Sequence, residues 1–590
     1  MATVTYCLPL LEQSLPTAQY LARVRRALLS LAKQSVPYWR CHLVVRADLA
    51  VEVSALIENI AIDYPHDSLA FAVHSTVNNT IVNAVQVAAS HATGAAVDDI
   101  LAAWMVVLRG DTQLASHATY SYLSMALQQP EAILVYGDHD QIDASGRRQN
   151  PFFKPEFSLD LLYSQNYIGP IFAIQTQYLL SQHHKNIESN QSFALAAILA
   201  AVRKVASVHV NKFVPIDYRK HLLHVPSVLH HHEVDFANQA QEAIGEAEST
   251  RLVSERSQGN LKLLNDHFDS LKHNAGSPSK LDGSKLTSST DTYRDLSQAV
   301  ASVSEVKPFV YRSTWPIPND CPLVSLIIPT RDGYEILRAC LDSILAKTTY
   351  KHYEILIVNN QSSDPKTLEL LSAMATVYEN IRVIDYDAEF NYSAINNYAV
   401  GFASGSIVGF VNNDIEVISP DWLTEMVSHS LRDDIGCVGA MHFYPDDSIQ
   451  HAGVIVGLDG VAGHAFRFEN KSSNEDYFNY LSSIRNPDAV TAATLLIRKE
   501  LFQRVGGFDA KHLAVAFNDV DLCLKVNALG YRCVWTPYAE LYHHESKTRK
   551  LTPSLEATKR EMYEHAVMKQ RWGTDTYLSR ELLQYKKVVA

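Results

Sequence analysis

The sequence predicts an α/β protein built from two sheet-and-helix units joined by a flexible connector. Three observations predict it. Apolar runs of strand length alternate with stretches of helical period in both halves, which is the pattern of an α/β sheet. Several of those runs end abruptly in Asn, Asp or Gly. Between the halves, His273 to Glu305 is rich in Ser, Thr, Lys, Asp and Gly with no sustained hydrophobic period, as in a linker or a long surface insertion. At 590 residues the chain holds two or three domains, and 47% hydrophobic content supplies their cores.

In the first half, Tyr20–Lys33 reads as an amphipathic helix with Arg23, Arg25 and Arg26 on its polar side. Cys41–Val45 reads as a strand, Ile81–Ala95 as a helix, and Ala102–Leu108 as a strand ending in Arg109-Gly-Asp111. Ala132–Tyr136 is another strand, ending in Gly137-Asp-His-Asp140. Asp138 and Asp140 fit either a metal or sugar-hydroxyl site or a solvated strand end. The loops Asn150–Pro155 and Ser164–Gly169 are expected to pack aromatics over a cleft. Adjacent residues do not share one face of a strand or helix, so His230, His231 and His232 are not expected to share one metal ion. Asn260–Leu271 reads as a short helix in the connector.

The second half opens on Leu323–Thr330, a near-continuous apolar run that suits a parallel strand buried on both faces. Arg331-Asp-Gly333 makes a turn, and a helix follows over Ile336–Leu345. The second strand, Tyr353–Val358, ends in Asn359 and Asn360. A helix over Lys366–Met374 and a strand over Ile381–Ile384 follow, then a helix opened by Asn391 or Ser393 as its cap. The apolar run Ile407–Val411 ends in Asn412, Asn413 and Asp414. This is the order of a nucleotide-binding half-sheet with its loops on one edge, where ligands bind. A carboxylate at the end of a buried strand is costly unless solvated, paired or metal-bound. Asp414 therefore marks either a turn or the seat of a metal-bound diphosphate. The half lacks GxGxxG and GxxxxGK[ST], so neither a dinucleotide cofactor nor a P-loop is indicated. Further on, Ala489–Ile497 reads as a strand, and Asp519 and Asp521 fall at the start of an amphipathic helix. Asp519 suits a general base or a plain N-terminal helix carboxylate. After a last strand at Arg532–Trp535, a histidine in Glu540–Ser546 suits a divalent cation.

The formal charge of −13 argues against a general nucleic-acid binder, which would show a basic footprint. Seven scattered cysteines without a CxxC pair suit a reducing cytosol and argue against a structural zinc site. Met1–Leu11 lacks a basic n-region, which predicts no signal peptide. No uninterrupted apolar run reaches the roughly 18 residues that span a bilayer, and peripheral membrane association stays open.

The second half, from Pro322 to Trp572, resembles the family 2 glycosyltransferases of GT-A fold, closest to the rhamnosyltransferase-like proteins of bacterial O-antigen and surface-polysaccharide assembly. The resemblance is carried by Val324–Gly333, Phe390–Asn397, Asn412–Val417 with Pro420–Leu423, Gln450-His-Ala-Gly453, Ala462-Gly-His464, Ala516–Cys523 and Thr536–Ser546. It implies that Pro329, Thr330, Asp332, Asn359, Asn360, Asn412 and Asn413 line a nucleotide-sugar pocket. It implies that Asp414, with His543 or His544, holds Mg²⁺ or Mn²⁺, and that Asp519 is the catalytic base. Asp521, Asp138 and Asp140 are secondary candidates for the acceptor. The sequence departs from the family at Asn412, where an aspartate is usual, and at Asn518, where an acid is usual.

The first half resembles a diverged copy of the same fold through Tyr136–Asp143, Gly146–Arg148, Pro151–Pro155 and Ser164–Gly169. Arg109 stands there where the first metal aspartate belongs, its nucleotide strand ends Val45-Arg-Ala-Asp48, and Gln191–Ala194 holds no acid. The expected architecture is therefore two GT-A-like domains: residues 1–245, a connector over 246–306 and a catalytic domain over 307–590. The expected activity is inverting transfer from a nucleotide-diphospho-sugar to a glycan or lipid-linked glycan acceptor at the cytoplasmic side of the membrane. The rivals are a non-catalytic glycan-binding scaffold and a transferase active in both halves.

Overall fold

A computed structural model describes residues 4–10, 17–64, 71–76, 84–86, 88, 104–143, 145–180, 190–208, 215–234, 246–274, 302–471, 477–545 and 554–573. Most of the helix expected over 81–95 and nearly all of the expected linker lie outside them.

In the first half the strands are β1 (Val4–Leu10), β2 (Trp39–Arg46), β3 (Phe71–Thr76), β4 (Trp104–Val107), β5 (Thr112–Leu114), β6 (Leu134–Ile142), β7 (Arg148–Phe152), β8 (Ala173–Gln175) and β9 (Leu222–Glu233). They form one sheet in the order β3-β2-β1-β4-β8-β6-β9-β5, with β7 on β6. After a hairpin of β10 (Ser302–Lys307) and β11 (Val310–Thr314), the second half brings β12 (Val324–Thr330), β13 (Tyr353–Asn359), β14 (Ile381–Asp385), β15 (Ile407–Val411), β16 (Ile415–Val417), β17 (Ile435–Phe443) and β18 (Ile449–His451). A small two-stranded sheet, β19 (Val454–Val456) and β20 (Ala462–His464), precedes β21 (Thr494–Arg498) and β22 (Arg532–His543). The second large sheet runs β14-β13-β12-β15-β21-β17-β22-β16, with β18 on β17. Strand for strand this is the order of the first sheet. The chain is thus two α/β units of one topology, as expected.

The physical cause is the same in both. β1, β12 and β15 are buried along almost their whole length, because parallel strands covered on both faces must be apolar throughout. Helices Tyr334–Lys347, Pro365–Val377 and Tyr392–Val400 connect the parallel strands of the second unit. Asn391 caps the third of them, accepting from Ala394 N at 2.9 Å, while Ser393 lies inside the helix. The loops after β12, β13 and β15 therefore leave one sheet edge together.

Three expectations need correction. β6 does not stop at Tyr136 but runs to Ile142, so Asp138 and Asp140 are strand residues and not a strand-end loop. The short helix expected at Asn260–Leu271 is a long one, Glu246–Asn274, held to the Asn190–Val208 helix by Ser192 Oγ donating to Asn260 Oδ1 at 3.0 Å. β10 begins inside the stretch read as linker.

The two units meet through the Leu159–Ser164 helix. Asp160, buried, faces the Arg432 guanidinium at 2.5 Å and Arg532 at 3.7 Å, and accepts from Asn486 Nδ2 at 2.7 Å. Arg532 also pairs with Asp434 at 2.7 Å, and Arg432 lies over the Trp315 ring. Phe152 stacks on Phe478 with centroids 3.7 Å apart. Burial alone would raise the Asp160 carboxyl; the charges of Arg432 and Arg532 overturn that and hold it well below its ordinary 3.8. Its contribution is therefore complete above about pH 4 and is lost as acid protonates it. Asp160→Asn leaves two buried guanidinium groups short of a charge, and breaking such a buried pair costs about 3–5 kcal/mol. The expected outcome is a lower melting temperature than wild type at pH 7. That gap should close as the pH is taken well below 4, read by circular dichroism melts.

Candidate active site

The site grows from the turn after β15. Gly409 in that strand has no room for a side chain: a Cβ would come within 2.7 Å of Leu496 and 2.8 Å of Leu326. β15 therefore sits deep between its neighbours, and the chain turns outward through Asn412, Asn413 and Asp414. The next three residues, β16, pair antiparallel with the end of β22, matching Ile415 to His543. That register sets Asp414 beside His543, with Oδ1 and Nε2 3.1 Å apart. Asp414 is buried; burial would raise its carboxyl, and the His543 hydrogen bond and charge hold it below the ordinary value.

His543 Nδ1 lies 2.7 Å from Gln450 Oε1, and Gln450 Nε2 donates to Glu545 Oε2 at 3.1 Å. An amide oxygen only accepts, so Nδ1 carries the proton and Nε2 is left facing Asp414. In the protonated ring Nε2 donates to Asp414; in the neutral ring it is an acceptor, and two acceptors converging at that distance fit a shared cation. An orienting partner on the second ring nitrogen is the usual support of a metal-binding histidine. His544 is placed otherwise. Its Nε2 lies 3.3 Å from Glu416 Oε2, and only its backbone N–H reaches Asp414, donating to the carbonyl at 3.0 Å.

Asn412 Nδ2 is 3.2 Å from His543 Nε2, and Asn412 Oδ1 accepts from the Tyr392 hydroxyl at 3.3 Å. The same hydroxyl donates to Ala492 O at 3.1 Å, and Ala492 N donates to Asp519 Oδ2 at 2.9 Å. A chain of hydrogen bonds thus joins Asp519 to the Asp414–His543 pair. Burial raises the Tyr392 phenol well above its ordinary value, and the charges of Asp519 and then Asp414 push the same way, which places both carboxylates near one ring. Asp519 is half-buried in the first turn of the Asn518–Ala528 helix. Phe517, just before it, holds a left-handed φ of 58°, a strained setting for a non-glycine. Glu564 of the Leu555–Trp572 helix fixes this turn by accepting from Val515 N and Ala516 N.

The remaining expected residues divide. Thr330 Oγ1 accepts from Asn413 Nδ2 at 3.0 Å, so the ends of β12 and β15 are tied together beside half-buried Pro329. Asn359 Nδ2 donates to Asp385 Oδ1 at 2.9 Å, which adds an exposed carboxylate at the end of β14 that sequence reasoning passed over. Asp332 Oδ1 accepts from Ser363 N and Asp364 N and ties two edge loops together. Asn360 is buried and its Nδ2 is spent on Tyr386 O and Ala388 O, so it staples a loop instead of lining an opening. Asp521 does not face the site: it is fully buried and accepts from Arg571 Nη1 and Trp572 Nε1. Asp138 accepts from Lys154 N and lies 2.8 Å from His224 Nε2. Asp140 is paired with Arg148 and His231. Neither aspartate is open to an acceptor sugar. Phe152 and Tyr167 are likewise buried packing residues and not a cleft surface.

Gln450, Tyr392 and His464 had no expected role. All three were signalled only by lying in family-like strings. His464 is within electrostatic reach of Asp519 and His543. In the first unit the corresponding turn is closed: Arg109 clamps Asp111 through two bonds, at 2.9 and 2.6 Å, and Arg46 pairs with Asp48 in the same way.

Comparison with known proteins gives the following. The chain is 33% identical over 550 residues to the protein y4gI of Sinorhizobium fredii, covering 93% of this chain and 54% of that one. It is 32% identical over 452 residues to the O-antigen biosynthesis protein RfbC of Myxococcus xanthus, covering 76% of this chain and 31% of that one. It thus spans about half the length of the first relative and under a third of the second. The solved mannosyltransferase PcManGT from Pyrobaculum calidifontis aligns at a TM-score of 0.34 and 17% identity over 47% of this chain and 72% of that one, too low to carry an argument. Residues 325–478, which contain the Asp414 turn, match the family described as Glycosyl transferase family 2, so the second unit carries a domain of that family.

Proposed function

We propose that the second unit is an inverting glycosyltransferase. It would move a sugar from a nucleotide-diphospho-sugar to a growing surface polysaccharide, O-antigen-like and held on a lipid at the cytoplasmic side of the membrane. The observation that carries the reading is the bonded chain Asp519–Ala492–Tyr392–Asn412–His543–Asp414, which sets a half-buried carboxylate beside a cation-type pair at the loop edge of a parallel sheet. The relative named for O-antigen biosynthesis supports the acceptor class. Among the described residues no helix is long and apolar enough to cross a membrane, and the membrane association proposed here is peripheral.

In the proposed reaction Asp519 takes the proton of the acceptor hydroxyl as that oxygen attacks C1 of the donor sugar. The bond from C1 to the diphosphate oxygen breaks and the nucleoside diphosphate leaves. Ala492 N–H holds Asp519 Oδ2, so the carboxylate keeps its aim with Oδ1 turned toward its own helix. Thr330, Asn413 and Asn359, with Pro329 and Asp332, would shape the nucleotide pocket. Mg²⁺ or Mn²⁺ held by Asp414 and His543 would neutralise the departing diphosphate as a Lewis acid. The first unit, which we place at residues 1–245, would brace the second: its two strand-end aspartates are taken by Arg46 and Arg109. The connector would be 246–306 and the transferase 307–590. Asn412 and Asn518 favour the scaffold alternative, which predicts no donor turnover at all.

Asp519→Asn should slow transfer by about 10²–10⁴-fold with donor affinity nearly unchanged. A collapse in donor affinity would make Asp519 a binding residue. Asp414→Ala should abolish transfer and Mn²⁺-dependent nucleotide binding, while Asp111→Ala should leave the catalytic rate near wild type. Equal losses in the two would argue for two active units. Gln450→Leu frees the His543 ring to turn, and loss of such an orienting partner typically weakens metal binding about 10–100-fold. Mn²⁺ titration in the presence of the nucleoside diphosphate measures it, and an unchanged affinity would remove His543 from the cation site.

A further inference from the structure

Consecutive histidines cannot share an ion on one strand, but a sheet supplies other partners. Residues two apart on a strand share a face. His230 and His232 of β9 therefore point the same way, while His231 turns to the opposite side and pairs with Asp140. β6 lies beside β9 in parallel register, matching His139 to His230, and adds a third imidazole to that face. The ring centroids are 5.3 Å apart for His139 and His230, and 5.0 Å apart for each of these with His232. One ring nitrogen from each lies within 4.8 Å of the other two.

These rings are short of partners. His230 is fully buried, and both of its nitrogens lack a hydrogen bond; so does Nδ1 of His139. A buried polar atom without a partner is costly, and three in one place call for a partner from outside the chain. Burial holds the His139 and His230 rings well below 6.5 and brings His232 down to about 4, so all three are neutral and carry lone pairs. The nearby cations do not oppose an ion strongly. Arg109 is clamped by Asp111, and burial brings the Lys154 ammonium down to about 7 while Gly137 O and Ile168 O accept from it. The carboxylates of Asp111 and Asp140 act on His232 in the opposite sense to Arg109 and Lys154. His139 and His232 are half-buried, which gives the cluster a face toward solvent.

We propose that His139, His230 and His232 bind a divalent transition-metal ion of the zinc class, in a site separate from Asp414 and His543. Three imidazoles without a carboxylate suit zinc, copper or nickel over magnesium. The ion ties β6 to β9 beside the Phe152–Phe478 stack, where the two units meet. Its role there is to stiffen the junction.

The test uses the 590-residue chain stripped with a chelator and titrated with Co²⁺ alone. The background is Asp414→Ala/His543→Ala, which disables the other site. The expected result is one equivalent of Co²⁺ with visible d–d bands, no sulfur-to-cobalt charge transfer, far-shifted histidine N–H proton resonances, and displacement by Zn²⁺. Adding His139→Gln and His232→Gln should weaken binding at least 100-fold with an unchanged circular dichroism spectrum. Absence of the d–d bands overturns the proposal. So does a charge-transfer band, which would put the ion on the buried cluster of Cys437, Cys523 and Cys533. Undiminished binding after the two histidine changes overturns it as well. Should that variant not fold, the histidine N–H resonances of the background protein decide: their presence supports the site and their absence overturns it.

Discussion

The site depends on one constraint of backbone pairing. A three-residue strand follows the turn after β15 and must find its hydrogen bonds on the free edge at the end of β22. A buried strand with unpaired N–H and C=O groups is costly, so the register is firmly held. Asp414 and His543, 129 positions apart in the chain by subtraction of their numbers, thereby become neighbours without any direct sequence signal between them. The first unit repeats the device: β5 pairs with the end of β9, matching Thr112 to His232 as Ile415 matches His543. The same backbone serves two chemistries because different side chains hang from it. Asn412 brings no charge to the Asp414 turn, whereas Arg109 fills the Asp111 turn with its own cation.

The junction between the units follows a different logic. Asp160, Arg432, Arg532 and Asp434 form a charge-balanced group with Asn486 and Trp315 around it. Taking such charges out of water is expensive, and apolar packing could stabilise the junction as well. What the charges add is orientation. Asn486 Oδ1 accepts from Asp160 N and Ser158 Oγ, so the Leu159–Ser164 helix meets the second unit in one rotational setting. The proposed acid sensitivity and the proposed bracing role of the first unit both rest on that setting.

Much of this was legible in the sequence, and the boundary has physical causes. β12, β13 and β15 are apolar along their length, so Val324–Thr330, Tyr353–Val358 and Ile407–Val411 announced themselves. β22 did so only over Arg532–Trp535; beyond them Tyr538, Glu540 and Tyr542 interrupt the apolar pattern and hide the part of the strand that delivers His543. β9 was missed for the same reason, and its histidines were read as a run in isolation. Asp519 and Asp521 look alike as acids in one helical turn. Only the contacts of Arg571 and Trp572 with Asp521 tell them apart. The cysteines show the same limit. Their spacing carries no CxxC, yet β17, β22 and the Asn518–Ala528 helix bring Cys437, Cys523 and Cys533 into one buried cluster. Sequence spacing reports local geometry; strand pairing makes the long-range neighbours.

The asparagine at 412 is where local pattern and structure bear on each other most closely. An aspartate there would only accept hydrogen bonds. Asn412 does two things at once: its Oδ1 accepts from Tyr392, and its Nδ2 points at His543 Nε2. The second contact is a donor to the very lone pair that a cation would use, and His543 cannot serve both. With one carboxylate in place of two, the turn also carries less negative charge to hold a free cation. Attraction must then come from the substrate side, because a diphosphate brings the missing charge with it. In the proposed reaction Asn412 is then compatible with activity: it would make cation binding depend on the donor being present, with the amide holding the histidine in place until then.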